Sequence, residues 1–188
     1  MRVRSPFFAP GLFIALALAF AFLPGPASAE IPEPQGYWMG PMHSEVPATL
    51  TGARVLGTQA LAQLLQQGDA VLVDAAEAPR RPENLAPGAI WKPVPHHHIP
   101  GSVWIPGIGA GKIEPRLEAY YRERLIVLTA SVQTHKIVFY CHPQCWASWN
   151  AAKRALSYGY QNIFWYRDGA EGWQEAGHAL AEARPEGP

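Results

Sequence analysis

Cysteine is the scarcest reactive residue in this chain, with 2 among 188 residues. A zinc centre takes about four ligands, so one thiol pair cannot supply it alone. An excess of either charge is missing too, since 15 Lys and Arg balance 15 Asp and Glu. Nothing in that balance favours nucleic acid or an anionic membrane surface as a partner. Internal repeats are absent. The glycine-rich "GIGAGK" (107–112) lacks the remaining residues and the spacing of a phosphate-binding loop.

What is present begins with an export pattern. "MRVRSPFFAPGLFIALALAFAFLPGPASAE" carries Arg2 and Arg4, an apolar run over residues 12–23, and Ala27-Ser28-Ala29 after a Pro-Gly-Pro break. These are the three regions of a secretory signal. The apolar run falls short of the roughly 20 residues that a membrane span needs. Residues 1–29 are therefore expected to be removed after Ala29, leaving a periplasmic protein with no membrane association. Removal takes Arg2 and Arg4 from the 15 basic residues and none of the 15 acidic ones, a net charge of −2. In an oxidising compartment two neighbouring cysteines tend to pair.

The remaining chain divides into an irregular arm (30–52), one domain (53–180) and a flexible tail (181–188). The arm holds Tyr37, Trp38 and Met39, which suits packing on the domain. A short strand near Val55 precedes a helix with Thr58 as its N-cap and Leu61, Leu64 and Leu65 as its apolar stripe. "AVLVD" (70–74) is continuously apolar, as in a strand buried on both faces. Six prolines make residues 75–101 a surface loop. "SVWI" reads as a strand, residues 115–128 as a helix with Pro115 in its first turn, "KIVFY" as a strand, residues 148–158 as a helix, and "NIFWY" as a strand before a short helix around "AEGWQEAG". Strands alternating with helices predict an α/β domain with a central, mostly parallel sheet and helices on both faces.

Both cysteines fall in "CHPQCWAS" (141–148), directly after a strand. Ligand sites in open α/β sheets lie beyond the carboxyl ends of strands. The following helix offers unsatisfied N–H groups and a positive dipole end, so a thiol facing it ionises more easily. The separation is not the C-x-x-C of redox motifs. His142 lies between the thiols, and His96, His97 and His98 form a run elsewhere that reads as solvated. Copper(I) is the metal best matched to two thiolates.

"KIVFYC", the loop, and "SWNAAKRALSYGYQNIFWYRDGAEGWQEAG" resemble the C-terminal half of a rhodanese-like domain. "GTQALAQLLQQGDAVLVDA" and "HHIPGSVWIP" are similar to that family's first helix and strand and to its "HIPGA..IP" segment. The Cys-Cys-Trp loop, "PATLTGARVL" and "WKPVP" further resemble a periplasmic group named for a CXXCW motif and associated with pyrroloquinoline-quinone (PQQ)-dependent alcohol catabolism, although here three residues separate the cysteines. The resemblance implies no cofactor. It assigns Cys141 as a nucleophile that carries a persulfide, held by loop N–H groups, with His142, Gln144, Trp146, Ala147 and Ser148 forming the substrate loop and Asp74 supporting it from the neighbouring strand.

Departures from the family shape the chemistry. Ala147 stands where rhodanese-fold phosphatases carry Arg, so phosphate has no clamp. No Lys or Arg lies between Cys141 and Ser148. Cys145 is placed to attack a Cys141 persulfide, close the disulfide and expel sulfide. Three readings follow. One is a thiol enzyme, a sulfurtransferase or a thiol–disulfide protein acting on a small sulfur compound or a protein thiol. Another is a non-catalytic accessory module for a quinoprotein dehydrogenase or a cytochrome. The third is a soft-metal carrier using Cys141, Cys145 and His142. The enzymatic reading requires the two sulfurs within bonding reach and the leading one open to solvent. Trp146 covers the sulfurs or faces a partner, while Trp149, Trp165 and Trp173 are expected in the core.

Overall fold

The computed structural model describes residues 30–188; the expected signal segment lies outside them. Among the described residues no helix is long and apolar enough to cross a membrane. Five strands form one sheet: β1 (Ala53–Leu56), β2 (Ala70–Asp74), β4 (Val103–Trp104), β5 (Lys136–Tyr140) and β6 (Ile163–Tyr166). Their order is β1-β6-β5-β2-β4, and every pairing is parallel. Three strands at the centre read as unbroken apolar runs because both faces are covered. Alternate side chains divide between the faces. Val73, Ile137, Phe139, Ile163 and Trp165 enter one core with Tyr121, Leu125, Trp149 and Ala151. Leu72, Val138, Tyr140, Phe164 and Tyr166 enter the other with Leu61, Leu64 and Trp173.

The first core is roofed by α2 (Pro115–Leu128) and α3 (Trp146–Ser157), the second by α1 (Thr58–Gln66) and α4 (Gly169–Glu175). This is the α/β architecture expected, with helices on both faces of a parallel sheet. Pro115 opens α2, where its missing N–H costs nothing.

Local expectations differ in three places. Gly57, not Thr58, occupies the N-cap of α1, and the Thr58 hydroxyl instead bonds Tyr166 Oη at 2.8 Å. α3 begins at Trp146, two residues earlier than its apolar period suggested. Residues 181–188 are not a loose tail. β7 (Ala181–Glu182) pairs antiparallel with β3 (His97–His98) inside the proline-rich loop, and Glu186 accepts from both Arg124 Nε at 2.5 Å and Arg124 Nη2 at 3.0 Å. A two-residue strand carries too little pattern to be read from sequence.

The arm (30–52) contains no helix or extended strand and packs across α3. Asn150, fully buried on α3, accepts from Trp38 N–H at 2.8 Å and donates to Trp38 C=O at 3.0 Å. Lys153 donates to Pro34 C=O at 2.8 Å.

Candidate thiol site

β5 delivers Cys141 to the carboxyl end of the sheet, and residues 142–145 carry the chain into α3. Gly169 supports the floor of this loop. Its φ is +67°, and a Cβ there would lie 2.6 Å from the His142 carbonyl carbon. Only glycine tolerates both the left-handed backbone and that approach. Beside it, Ala170 N–H donates to Cys141 C=O at 3.0 Å.

The Cys145 C=O lies within donating reach of Cys141 Sγ–H at 3.4 Å. Cys141 Sγ also receives the Ser148 backbone N–H at 3.4 Å and lies 3.1 Å from Ser148 Oγ. The environments of the two thiols push them apart. Burial, followed by the neighbouring Cys145, drives Cys141 well above the usual thiol range, and the Ser148 donors only partly offset it. The neighbouring Cys141 thiol lowers Cys145 to about 6, against the effect of burial, with further help from the Ala147 and His142 N–H groups and from nearby His43. Burial thus opposes ionisation at Cys141, the thiol expected to ionise readily, while the neighbouring groups favour it at Cys145. The first turn of α3 serves both sulfurs: Ser148 N–H reaches Cys141, and Ala147 N–H lowers Cys145 at the N-cap.

Access is the second correction. Cys141 is 1% exposed and Cys145 3%, so the open leading sulfur required by a small-molecule sulfurtransferase is not met in this arrangement. The arm is the cause. Met42 C=O accepts Trp146 N–H at 2.8 Å, and Ser44 N–H donates to Gln144 C=O at 3.0 Å. These bonds set His43 opposite Cys145 as a bridge. Val46 N–H reaches Gln144 Oε1 at 3.1 Å, so Gln144, at φ +52°, anchors the arm. Trp146 stacks on Trp38 at 4.3 Å and donates to Ser44 Oγ at 2.9 Å. Its face is thus covered by its own chain. Tyr37, Trp38 and Met39 pointed to an arm packed on the domain, but not to its place across the thiol loop.

Asp74 lies one strand away, paired in register with Tyr140. It accepts Ala76 N–H at 2.9 Å and bonds His96 Nε2 at 2.6 Å. His96 is therefore not the solvated loop histidine expected. His142 Nδ1 bonds Glu171 Oε1 at 2.7 Å, and its ring centre lies 5.9 Å from that of His43 and 6.0 Å from that of His96. Among the described residues no group of three or more His, Cys, Asp or Glu side chains is arranged to hold a metal ion, which leaves the copper-carrier reading without a preformed site. Ala147 backs onto Gly109, where an added Cβ would come within 2.3 Å of its carbonyl oxygen.

The rhodanese-like domain family model matches residues 58–176, and no curated protein sequence matches the chain. Among solved structures, a thiosulfate sulfurtransferase from Pseudomonas aeruginosa shares 20% identity over 71% of this chain, with a TM-score of 0.48; this chain spans only 21% of that one's length. A human single-domain sulfurtransferase shares 24% identity, covering 65% of this chain and 96% of its own, with a TM-score of 0.39. The polysulfide-sulfur transferase homodimer of Wolinella succinogenes shares 19% identity over 70% of this chain and 80% of its own, with a TM-score of 0.41. With the family match extending from α1 through α4 and taking in the thiol loop, the chain belongs to the rhodanese-like domain family.

Proposed function

We propose that this chain is an exported rhodanese-like thiol protein that works by thiol–disulfide exchange at Cys141 and Cys145, as an accessory to PQQ-dependent alcohol oxidation in the periplasm. The observation that carries the exchange chemistry is the placing of both thiols side by side at the start of α3, where the neighbouring Cys141 thiol and the Ala147 and His142 N–H groups lower Cys145 to about 6 and so make it largely thiolate at neutral pH. A thiolate attacks disulfides, a thiol does not. Export is supported by the pattern of residues 1–29, and the accessory role by the resemblance of the Cys-Cys-Trp loop, "PATLTGARVL" and "WKPVP" to that periplasmic group.

The exchange runs in two steps. The Cys145 thiolate attacks one sulfur of an incoming disulfide, and the other leaves as a thiolate. Cys141, deprotonated to solvent, then attacks Cys145 Sγ, closes the Cys141–Cys145 disulfide and expels the second partner sulfur as a thiolate. Two electrons pass from the protein to the incoming disulfide; the same two steps run in reverse return the resting disulfide to the dithiol, with a dithiol on a partner protein as the two-electron donor. The suited reactant is a disulfide on a periplasmic protein, such as a quinoprotein dehydrogenase or its cytochrome, because a docking protein is able to displace the arm.

The test is a thiol count on protein taken from its native compartment, together with exchange against a small aromatic disulfide. The expected result is no free thiol before reduction, two after it, and two aromatic thiols released per reduced chain. Cys145→Ser abolishes the exchange. Sustained thiosulfate-to-cyanide transfer by the full chain, unaffected by Cys145→Ser, would restore the sulfurtransferase reading instead.

A further inference from the structure

Trp165, expected only to fill the core, is wired to the deeper sulfur. It is fully buried in the middle of β6, and its indole Nε1 lies 3.0 Å from Ser148 Oγ. Ser148 Oγ in turn lies 3.1 Å from Cys141 Sγ. An indole N–H only donates, so the Ser148 oxygen must accept it. That leaves the single hydroxyl proton free for another acceptor. A serine within a helix commonly gives its proton to a carbonyl three or four residues back. Here those carbonyls belong to Cys145 and Gln144, and the Gln144 oxygen already accepts Ser44 N–H. In the resting thiol the second lone pair of the Ser148 oxygen receives the Cys141 S–H; once that proton is lost, the sulfur 3.1 Å away becomes the acceptor for the hydroxyl.

We propose that Trp165 is a positioning residue that holds the Ser148 oxygen beside Cys141 Sγ, so that when the thiol loses its proton the hydroxyl turns to the sulfur and Ser148, through O–H and N–H together, stabilises the Cys141 anion as that sulfur closes or leaves the disulfide. This deepens the exchange reading above and rests on it for its role in turnover. Burial alone makes Cys141 a poor anion, yet the second exchange step needs that anion. Among the described residues no cationic side chain acts on the sulfur. Two hydrogen bonds from one residue, aimed from outside the loop, provide what the loop itself lacks. The titratable groups facing Cys141 are Cys145 on the loop, Tyr140 preceding it on β5 and Asp74 beside Tyr140 on β2, with His142 adjoining. None of them donates to the sulfur as Ser148 does, and Asp74 and Tyr140 remain in every variant below.

The test uses the full chain carrying Cys145→Ser, which leaves one cysteine, with its β-carbon labelled by carbon-13. The chemical shift is followed against pH with Ser148, Ser148→Ala, Ser148→Thr or Trp165→Phe. Both Ser148→Ala and Trp165→Phe are expected to reduce the thiolate fraction at a fixed alkaline pH at least threefold, and Ser148→Thr to retain it. The Trp165 indole proton moves upfield in Ser148→Ala, a signature that packing loss does not produce. Superimposable titrations in parent, Ser148→Ala and Trp165→Phe would overturn the proposal. So would a parent that stays thiol up to the pH at which it unfolds. If the titrations move as expected while wild-type protein releases no aromatic thiol from the small disulfide, the relay stands and the exchange reading falls.

Discussion

Two loops leave neighbouring parallel strands at the same level of the sheet, since Asp74 at the end of β2 is in register with Tyr140 at the end of β5. They differ in almost every physical respect. The loop after β5 spends five residues before α3 begins, and its backbone is bonded to the arm on one side and to α4 on the other. The loop after β2 runs to β3 with Ile90 88% exposed and Val94 79% exposed. Its largest internal tie is Arg81, whose Nη2 donates to Ala86 C=O at 2.9 Å. One loop is closed by neighbours distant in sequence; the other is held mainly by its own residues and borders a cleft of about 310 Å³ shared with Glu182 and Ala183 near the C-terminus. Reactive sulfur has been placed under the closed loop, and apolar surface on the open one. Closure confines where exchange occurs; openness leaves a face for contact.

The largest effect expected from this contrast is on pH dependence. Cys145 falls from 9.0 to about 6 on folding. Between those values the unfolded chain holds a proton that the folded chain has released, so this contribution is complete above about pH 9 and is lost as pH falls through 6. At about 1.4 kcal/mol per unit, its upper limit is about 4 kcal/mol, shared with Cys141. Cys141 acts in the opposite sense. Its pKa is raised, so stability is lost as pH climbs above the unfolded thiol value. Tm measured from pH 5 to 10 should rise to a maximum near the unfolded thiol value, and Cys145→Ser should flatten the rising limb. An unchanged rising limb in that variant would remove the thiol loop as its source. Variants in the open loop should leave the curve's shape alone.

Next in size is the anchor of the strap. Asn150 makes three bonds, to Trp38 N–H, to Trp38 C=O and to Gly109 C=O at 2.8 Å. Asn150→Ala leaves these backbone groups short of partners in a buried place, at a cost of about 2–4 kcal/mol. Urea unfolding measures the loss. At urea concentrations where the variant stays folded, reaction of the two thiols with the small aromatic disulfide should accelerate at least tenfold, because the arm no longer holds the loop shut. Destabilisation without faster reaction would mean that access is controlled elsewhere, and the contrast between closed and open loops would lose its functional meaning.

The sheet was legible because its central strands are short apolar runs, and α2 because Pro115 marks its start within an amphipathic stretch. The loop's position followed from Cys141 succeeding such a strand. What stayed hidden depends on contacts between distant segments. Met42 and Ser44 bond Trp146 and Gln144 about a hundred residues away, and backbone-to-backbone bonds leave no residue-type signature. The opposite directions in which their surroundings push the two thiols were equally hidden, because spacing shows that a helix follows but not how deeply each sulfur is buried. Trp165 read as core because it is core; its second role depends on where one indole nitrogen points. His96 looked solvated because prolines surround it, yet the β3–β7 pairing brings its neighbours inward toward Asp74.

The smallest effect belongs to the open loop itself. Ile90 touches little, so Ile90→Ser removes exposed apolar area and no core contact. Surface changes of this kind stay within about 0.5 kcal/mol, and urea midpoints of variant and parent should agree to that extent. The informative measurement is therefore not stability. If the open loop is a contact face for the proposed partner, Ile90→Ser combined with Val94→Ser should weaken association with a purified quinoprotein dehydrogenase while leaving exchange with the small disulfide unchanged. The small reactant needs only the thiols, whereas the large one needs a surface on which to dock. Loss of both activities together would place the loop inside the thiol machinery, and the two loops would then be one site.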